Sequence, residues 1–210
     1  MSSGRLETFA DGVFAIAATL LILNVDSHIR SETVSLSKDL LEGWSAYAAY
    51  VLSFTTIGII WVNHHTVMSQ IERVDRVFLF VTVGFLMCVA FIPFPTRLLA
   101  EYVTDGFHNA RAATITFGIT LTFTAAFFNA LWLYASRSRR LIAEEADEEL
   151  VRGITKSFRP GVPIYVLATL VGIVNPTASF ILFTIIAAFY VVESSVFGRS
   201  GRASDISPNE

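Results

Sequence analysis

Charge is scarce in this chain. Only 16% of its 210 residues are Asp, Glu, Lys or Arg while 53% are hydrophobic, and an average soluble domain is about a quarter charged. That imbalance argues against an ordinary soluble fold, because so much apolar surface needs lipid to cover it. The net charge of -3 comes from interspersed acids and bases, which leaves no basic face for nucleic acid. Cysteine is scarcer still. Cys88 stands alone, so there is no internal disulfide and no thiolate metal cluster, and the residue reads as a small core side chain. Also missing are a Ser-His-Asp order, a paired-carboxylate site, a phosphate loop and a dinucleotide fingerprint, so the sequence points away from an enzyme.

What the chain has instead is long apolar runs. Its 18 phenylalanines fall inside stretches such as Val77 to Phe94 and Thr114 to Leu133 rather than at alternate positions, which favours helices over strands. A bilayer core about 30 Å thick is crossed by about 20 residues of helix. Six segments meet or approach that length: Leu6 to Val25, Leu41 to Val67, Val77 to Leu99, Ala110 to Ser136, Pro160 to Val174 and Thr177 to Phe197. The fold class expected is therefore an all-α integral membrane protein with six transmembrane helices, over residues 1–197. The first segment follows Arg5 as a signal peptide would. Asp11 interrupts it, no small-residue cleavage site follows Val25, and five further spans come later, so it reads as a retained helix.

Residues 137–158 form the one extended charged segment and read as a cytoplasmic linker; residues 198–210 read as a polar cytoplasmic tail. Asn175 and Pro176 separate the last two spans and predict a tight helical hairpin, because proline lacks an N–H and restricts the residue before it. Most Lys and Arg fall on one side of the predicted topology, including Arg5, Arg73, Arg76, Arg137, Arg139, Arg140, Arg152, Lys156 and Arg159. That bias predicts a cell-membrane protein with both termini in the cytoplasm. The last three spans do not repeat the first three, and this absence weighs against an inverted-repeat transporter.

Polar groups at membrane depth are costly and are functional candidates by default. Here they cluster in two places: Arg5, Phe9, Ala10 and Asp11 on the first helix, and Trp61, Asn63, His64 and His65 on the second. Arg5 and Asp11 are six residues apart, too far around the helix to pair with each other. Each needs a partner on another helix, and His64 or Asn63 lies at the right depth. The alternative is that all of them are anchors at the membrane edge. Adjacent His64 and His65 lack the i, i+4 spacing of a zinc-binding helix, so no metal site is expected. On the first helix Ile16, Thr19, Leu20 and Leu23 repeat at i, i+3, i+4 and i+7, a stripe that is either an ordinary packing face or a hydrophobic pore lining. Thr82, Val83, Gly84 and Phe85 look like the start of a carbonyl selectivity filter. They lack its second glycine and a preceding pore helix, so they read as membrane core.

The run Arg5 to Val25, RLETFADGVFAIAATLLILNV, resembles the signature helix of the transmembrane protein 175 family, marked by Arg, three variable residues and then Phe-Ser-Asp; Trp61 to His65, WVNHH, is similar to its second-helix pattern. The resemblance implies a potassium-selective or potassium-preferring channel, a homotetramer in which four copies of the first helix line the pore. Selectivity would come from side-chain rings at Ile16, Thr19, Leu20 and Leu23 rather than from a carbonyl filter. The permeant ion would be K+ with no bound cofactor, and the partners would be further copies of the chain and the lipid bilayer. Arg5, Phe9, Asp11, Trp61, Asn63, His64 and His65 would form the signature network, and Asp26 would sit at the outer mouth and concentrate cations. Ala10 departs from the family serine and removes one hydroxyl from that network. The rival readings are a small proton-coupled secondary transporter using Asp11, His64 or His65 as a relay, and a non-conducting scaffold.

Overall fold

The structure, a computed structural model, describes residues 3–25, 36–137, 141–142 and 148–203. The described elements are helical. Helix α1 (Ser3–Leu20) tightens into a 3-10 turn, Leu21–Asn24; α2 (Leu36–Glu42) is short; α3 (Trp44–Met68), α4 (Arg76–Phe91), α5 (Pro93–Tyr102) and α6 (Gly106–Ser136) follow. The chain ends with α7 (Glu148–Phe158), α8 (Gly161–Val174) and α9 (Pro176–Ala203). Among the described residues five stretches are long and apolar enough to cross a membrane: Ser3–Asn24, Trp44–Met68, Arg76–Tyr102, Gly106–Ser136 and Val151–Val174. The apolar part of α9, Pro176–Val192, is the shorter sixth.

The third span is broken where the chemistry requires it. Pro93 and Pro95 remove two backbone donors, so α4 ends at Phe91 and α5 begins at Pro93. The carbonyl of Pro93 is taken up from outside the span, by the side-chain amide of Asn24 at 3.1 Å. Just above, the Thr96 hydroxyl bonds the hydroxyl of Ser53 on α3 at 2.7 Å. At the start of α4, Asp75 Oδ1 accepts from the N–H of Phe78 at 2.9 Å, the usual N-terminal cap. Its other oxygen accepts from Tyr134 Oη of α6 at 2.6 Å, which ties the two spans together at this end.

The hairpin expected at Asn175 and Pro176 forms. Asn175 is extended, Pro176 opens α9, and Asn175 Oδ1 caps the new helix by accepting from the N–H of Ala178 at 3.0 Å. Ser179 Oγ then donates to the carbonyl of Ala168 at 2.7 Å, closing α9 onto α8. Helix α8 lies tight against α6 because Gly118 has no side chain: a Cβ there would meet Thr169 and lie 2.9 Å from Phe183 Cζ.

Two boundaries differ from the sequence reading. The second half of the charged segment is not a solvated linker. Helix α7 is amphipathic, with Ile154 buried and Val151 and Phe158 packed on the core, and only Arg159 and Pro160 separate it from α8. Trp132 Nε1 of α6 donates to Thr155 Oγ1 at 2.8 Å, and the Phe158 ring packs edge-on against Phe128 with centroids 4.8 Å apart. Without α7, α8 alone would be about 21 Å long, short of a bilayer core. At the other end the backbone of α9 stays helical to Ala203, past the Gly198 at which the tail was expected to start.

Candidate pore helix and its anchors

Helix α1 carries two unlike faces. Leu6, Ala10, Phe14, Ala17, Leu21 and Asn24, spaced by three or four residues, are all buried against the rest of the chain. The opposite face is bare. Ile16 is 62% exposed and Leu23 64%, and Thr19 and Leu20 are exposed beside them. Gly12 and Ala15 share this side, and a Cβ at Gly12 would touch nothing within 4 Å. The stripe Ile16, Thr19, Leu20 and Leu23 is therefore not the packing face within this chain. On α4 the exposed apolar residues are mostly large, Val77, Phe80, Val83, Met87 and Phe91, without the exposed glycine and hydroxyl that Gly12 and Thr19 add on α1.

Thr19 is prepared to accept rather than donate. Its hydroxyl hydrogen is committed to the helix backbone, to the carbonyls of Ala15 at 2.9 Å and Ile16 at 3.0 Å. The oxygen lone pairs are left on the exposed face, where a cation can use them.

The lower half of α1 is held by α3. Trp61 Nε1 donates to Asp11 Oδ1 at 2.8 Å, and His65 Nδ1 lies 2.9 Å from Glu7 Oε1. Trp61 and His65 are one turn apart and so share a face of α3; their rings stack at 6.2 Å. This corrects the expected pairing, in which His64 or Asn63 was the partner. Successive residues turn about 100° on a helix. His64 is thereby directed into the core, with its ring 5.6 Å from both Phe14 and Phe85 and stacked on the latter. Its Nε2 is buried and has no hydrogen-bond partner among the described residues. Asn63 lines a cavity between α3, α6, α7, α8 and α9 instead. Arg5 and Phe9 lie exposed on α1, and Arg5 makes no ion pair among the described residues. Ala10 is fully buried, so a hydroxyl at this position would point into the subunit's own packing.

The upper end is held by Asn24, whose bond to Pro93 was described above. Sequence reading missed this residue, although an asparagine in an apolar run is a signal in itself. It also missed Glu7, which sits among the variable positions of the signature. Asp26 lies outside the described residues. Among the described residues no group of three or more His, Cys, Asp or Glu is placed to hold a metal ion.

A helix bare on one side and pinned at both ends suits a part that meets its counterparts in other subunits. Comparison with known proteins identifies the family. The family model described as the endosomal/lysosomal potassium channel TMEM175 matches residues 5–93, which include α1 and the WVNHH segment of α3. A potassium channel of Chamaesiphon minutus is 41% identical over 196 residues, covering 92% of this chain and 95% of its own length. This chain belongs to the TMEM175 family. A second relative, a potassium channel of Streptomyces collinus, is 38% identical over 90% of this chain and 91% of its own. The crystal structure of a lysosomal potassium-selective channel TMEM175 homolog from Chamaesiphon minutus superposes with a TM-score of 0.83 at 36% identity, covering 91% of this chain and 97% of that one. The likeness to these relatives extends over nine-tenths of the chain, well past the residues that the family model matches.

Proposed function

We propose that several copies of this chain, four in the arrangement the family resemblance implies, assemble around a central axis with α1 innermost and conduct potassium ions. The bare stripe on α1 carries this reading. One copy of α1 cannot enclose a pathway, and the residues left uncovered combine large aliphatic Ile16, Leu20 and Leu23 with small Gly12 and Ala15 and hydroxylic Thr19. The potassium-channel relatives over nearly the full chain support the choice of ion.

In this assembly Ile16, Leu20 and Leu23 form apolar rings. Such a ring gates by dewetting: when it narrows, water leaves and an ion cannot afford to follow; when it widens, both pass. Between them Thr19 offers an oxygen to a partly dehydrated cation, which favours the more weakly hydrated potassium over sodium. The anchors set how far the rings can move. Asp11 to Trp61 and Glu7 to His65 fix the lower end of α1, Asn24 fixes the upper end, and Phe14, Ala17 and Leu21 bind its middle to the core. Gating is then a small displacement or rotamer change of the rings rather than a swing of the helix. Both termini face the cytoplasm in this reading. Contacts between α1 and α3 and between residues 72 and 141 bring Arg5, Arg73, Arg76 and Arg137 to one end of the bundle, in keeping with the positive-inside bias.

Thiol chemistry separates a pore lining from a lipid-facing surface, because the thiolate that reacts forms only in water. In a Cys88→Ala background, Leu23→Cys and Ile16→Cys channels should lose current to a charged, membrane-impermeant methanethiosulfonate, while Phe80→Cys channels on α4 should not. Equal insensitivity at all three positions would remove α1 from the pathway.

A further inference from the structure

Helix α7 turns Ile154 into the core, with Val151 and Phe158 packed beside it, and its cations fall on the opposite side. Arg152 and Lys156 on α7 and Arg159 just after it recur at four and three residues, and all three are exposed. The same stripe continues up α8 as Pro163, Leu167 and Leu170, again exposed and again spaced by three or four residues. One face of the fifth span is thus basic at its lower end and apolar above. Arg152 is paired with Glu148 at 3.3 Å. Lys156 and Arg159 make no ion pair among the described residues, and like charges three residues apart on a helix repel. Their depth makes the want of an anion costly. Counted down from Val174, a hydrocarbon core about 30 Å thick ends near Thr155. Both cations therefore stand at its edge, where the stems lie on apolar surface and the charged ends extend to the headgroups.

We propose that Lys156 and Arg159 bind the phosphate of an anionic phospholipid from the cytoplasmic leaflet, whose chains lie along Pro163, Leu167 and Leu170. Charge selects the headgroup. Two cations without a carboxylate favour a lipid of net negative charge over a zwitterion, whose own ammonium already offsets its phosphate. Length selects a lipid over a soluble phosphate ester: half of the core is about 15 Å, or about ten residues of helix, which takes the chains from Arg159 to the level of Leu170. A soluble ester would leave that apolar face unused. The choice of leaflet rests on the orientation of the proposed assembly, whereas the binding itself does not depend on conduction.

The test is a titration of the intact protein, purified in detergent, with phosphatidylglycerol or with phosphatidylcholine of the same chains, read by native mass spectrometry. A cation beside an anionic headgroup contributes about fivefold in affinity, so phosphatidylglycerol should bind about 25-fold more tightly than phosphatidylcholine. Lys156→Gln combined with Arg159→Gln should remove that difference and leave phosphatidylcholine binding unchanged. Both side chains are exposed, so the fold should survive, and Lys156→Gln alone should weaken phosphatidylglycerol about fivefold. Arg73→Gln combined with Arg76→Gln removes two exposed charges from the turn before α4, at the same end of the bundle, and should leave the affinity nearly unchanged. Equal affinity for the two lipids, or an equal loss in the two double variants, would overturn the site, because either result reduces it to general attraction to a basic membrane edge. Millimolar glycerol 3-phosphate should not displace the lipid; full displacement would overturn the lipid as occupant. A protein that binds phosphatidylglycerol in this way and passes no current would contradict the channel reading alone.

Discussion

At the scale of single residues, the account turns on which way each side chain of α1 and α3 faces. Sequence supplied the depth of Asp11, Trp61, His64 and His65 but not their azimuth, because depth follows from hydropathy while azimuth follows from how two helices are turned against each other. Hence Asp11 was identified and its partner was not. Trp61 is the donor, and the prediction is specific to that atom: Trp61→Phe keeps the ring and deletes the bond to Asp11. A charge-assisted hydrogen bond contributes about 1.5–3 kcal/mol when buried. This pair is exposed, so the loss should be smaller, about 0.5–1 kcal/mol, read as a lower midpoint in detergent unfolding. A midpoint equal to the wild type would make the contact incidental. The stripe behaves differently: in the proposed assembly Ile16→Asn would wet the Ile16 ring, and Leu23→Ala would widen the Leu23 ring. Each should raise leak current and bring the sodium and potassium permeabilities closer together in bilayer recordings, whereas wild-type selectivity in both would take the filter off α1.

At the scale of elements, the six apolar runs were legible because each is long and nearly free of charge. Their breaks were legible only where a proline stood beside a polar residue. Asn175 and Pro176 gave the hairpin at once; the Pro93 break lay hidden inside an apolar run, since hydropathy is blind to a lost N–H. Helix α7 was hidden for the opposite reason. Averaged over 137–158 the segment is charged, yet Val151, Ile154 and Phe158 recur at three and four residues and form one buried side. The close contact of α6 with α8 left no sequence signal beyond a glycine in an apolar helix. It yields a sharp expectation, because Gly118→Val puts atoms where Thr169 and Phe183 already are. Overpacking of this kind costs about 1–3 kcal/mol or more, so the variant should be markedly less thermostable and poorly assembled in gel filtration. A stability equal to the wild type would mean that the helices separate easily here. The cap at Asn175 should matter less: Asn175→Ala should cost about 1 kcal/mol, measured in the same unfolding assay.

At the scale of the whole molecule, the chain is a helical bundle whose apolar surface has two different characters. The exposed face of α4 carries mostly large side chains; the bare face of α1 mixes large aliphatic ones, Ile16, Leu20 and Leu23, with Gly12, Ala15 and Thr19, as the proposed pathway requires. That distinction separates a channel from a scaffold, since a scaffold has no reason to leave Gly12, Ala15 and Thr19 uncovered on a helix pinned at both ends. The most direct test is recording of the purified protein in a planar bilayer under opposed potassium and sodium gradients. The account predicts discrete currents that reverse near the potassium potential in the wild type and move toward zero in Ile16→Asn. Smooth coupled flux, no flux, or a reversal potential indifferent to Ile16 would contradict it.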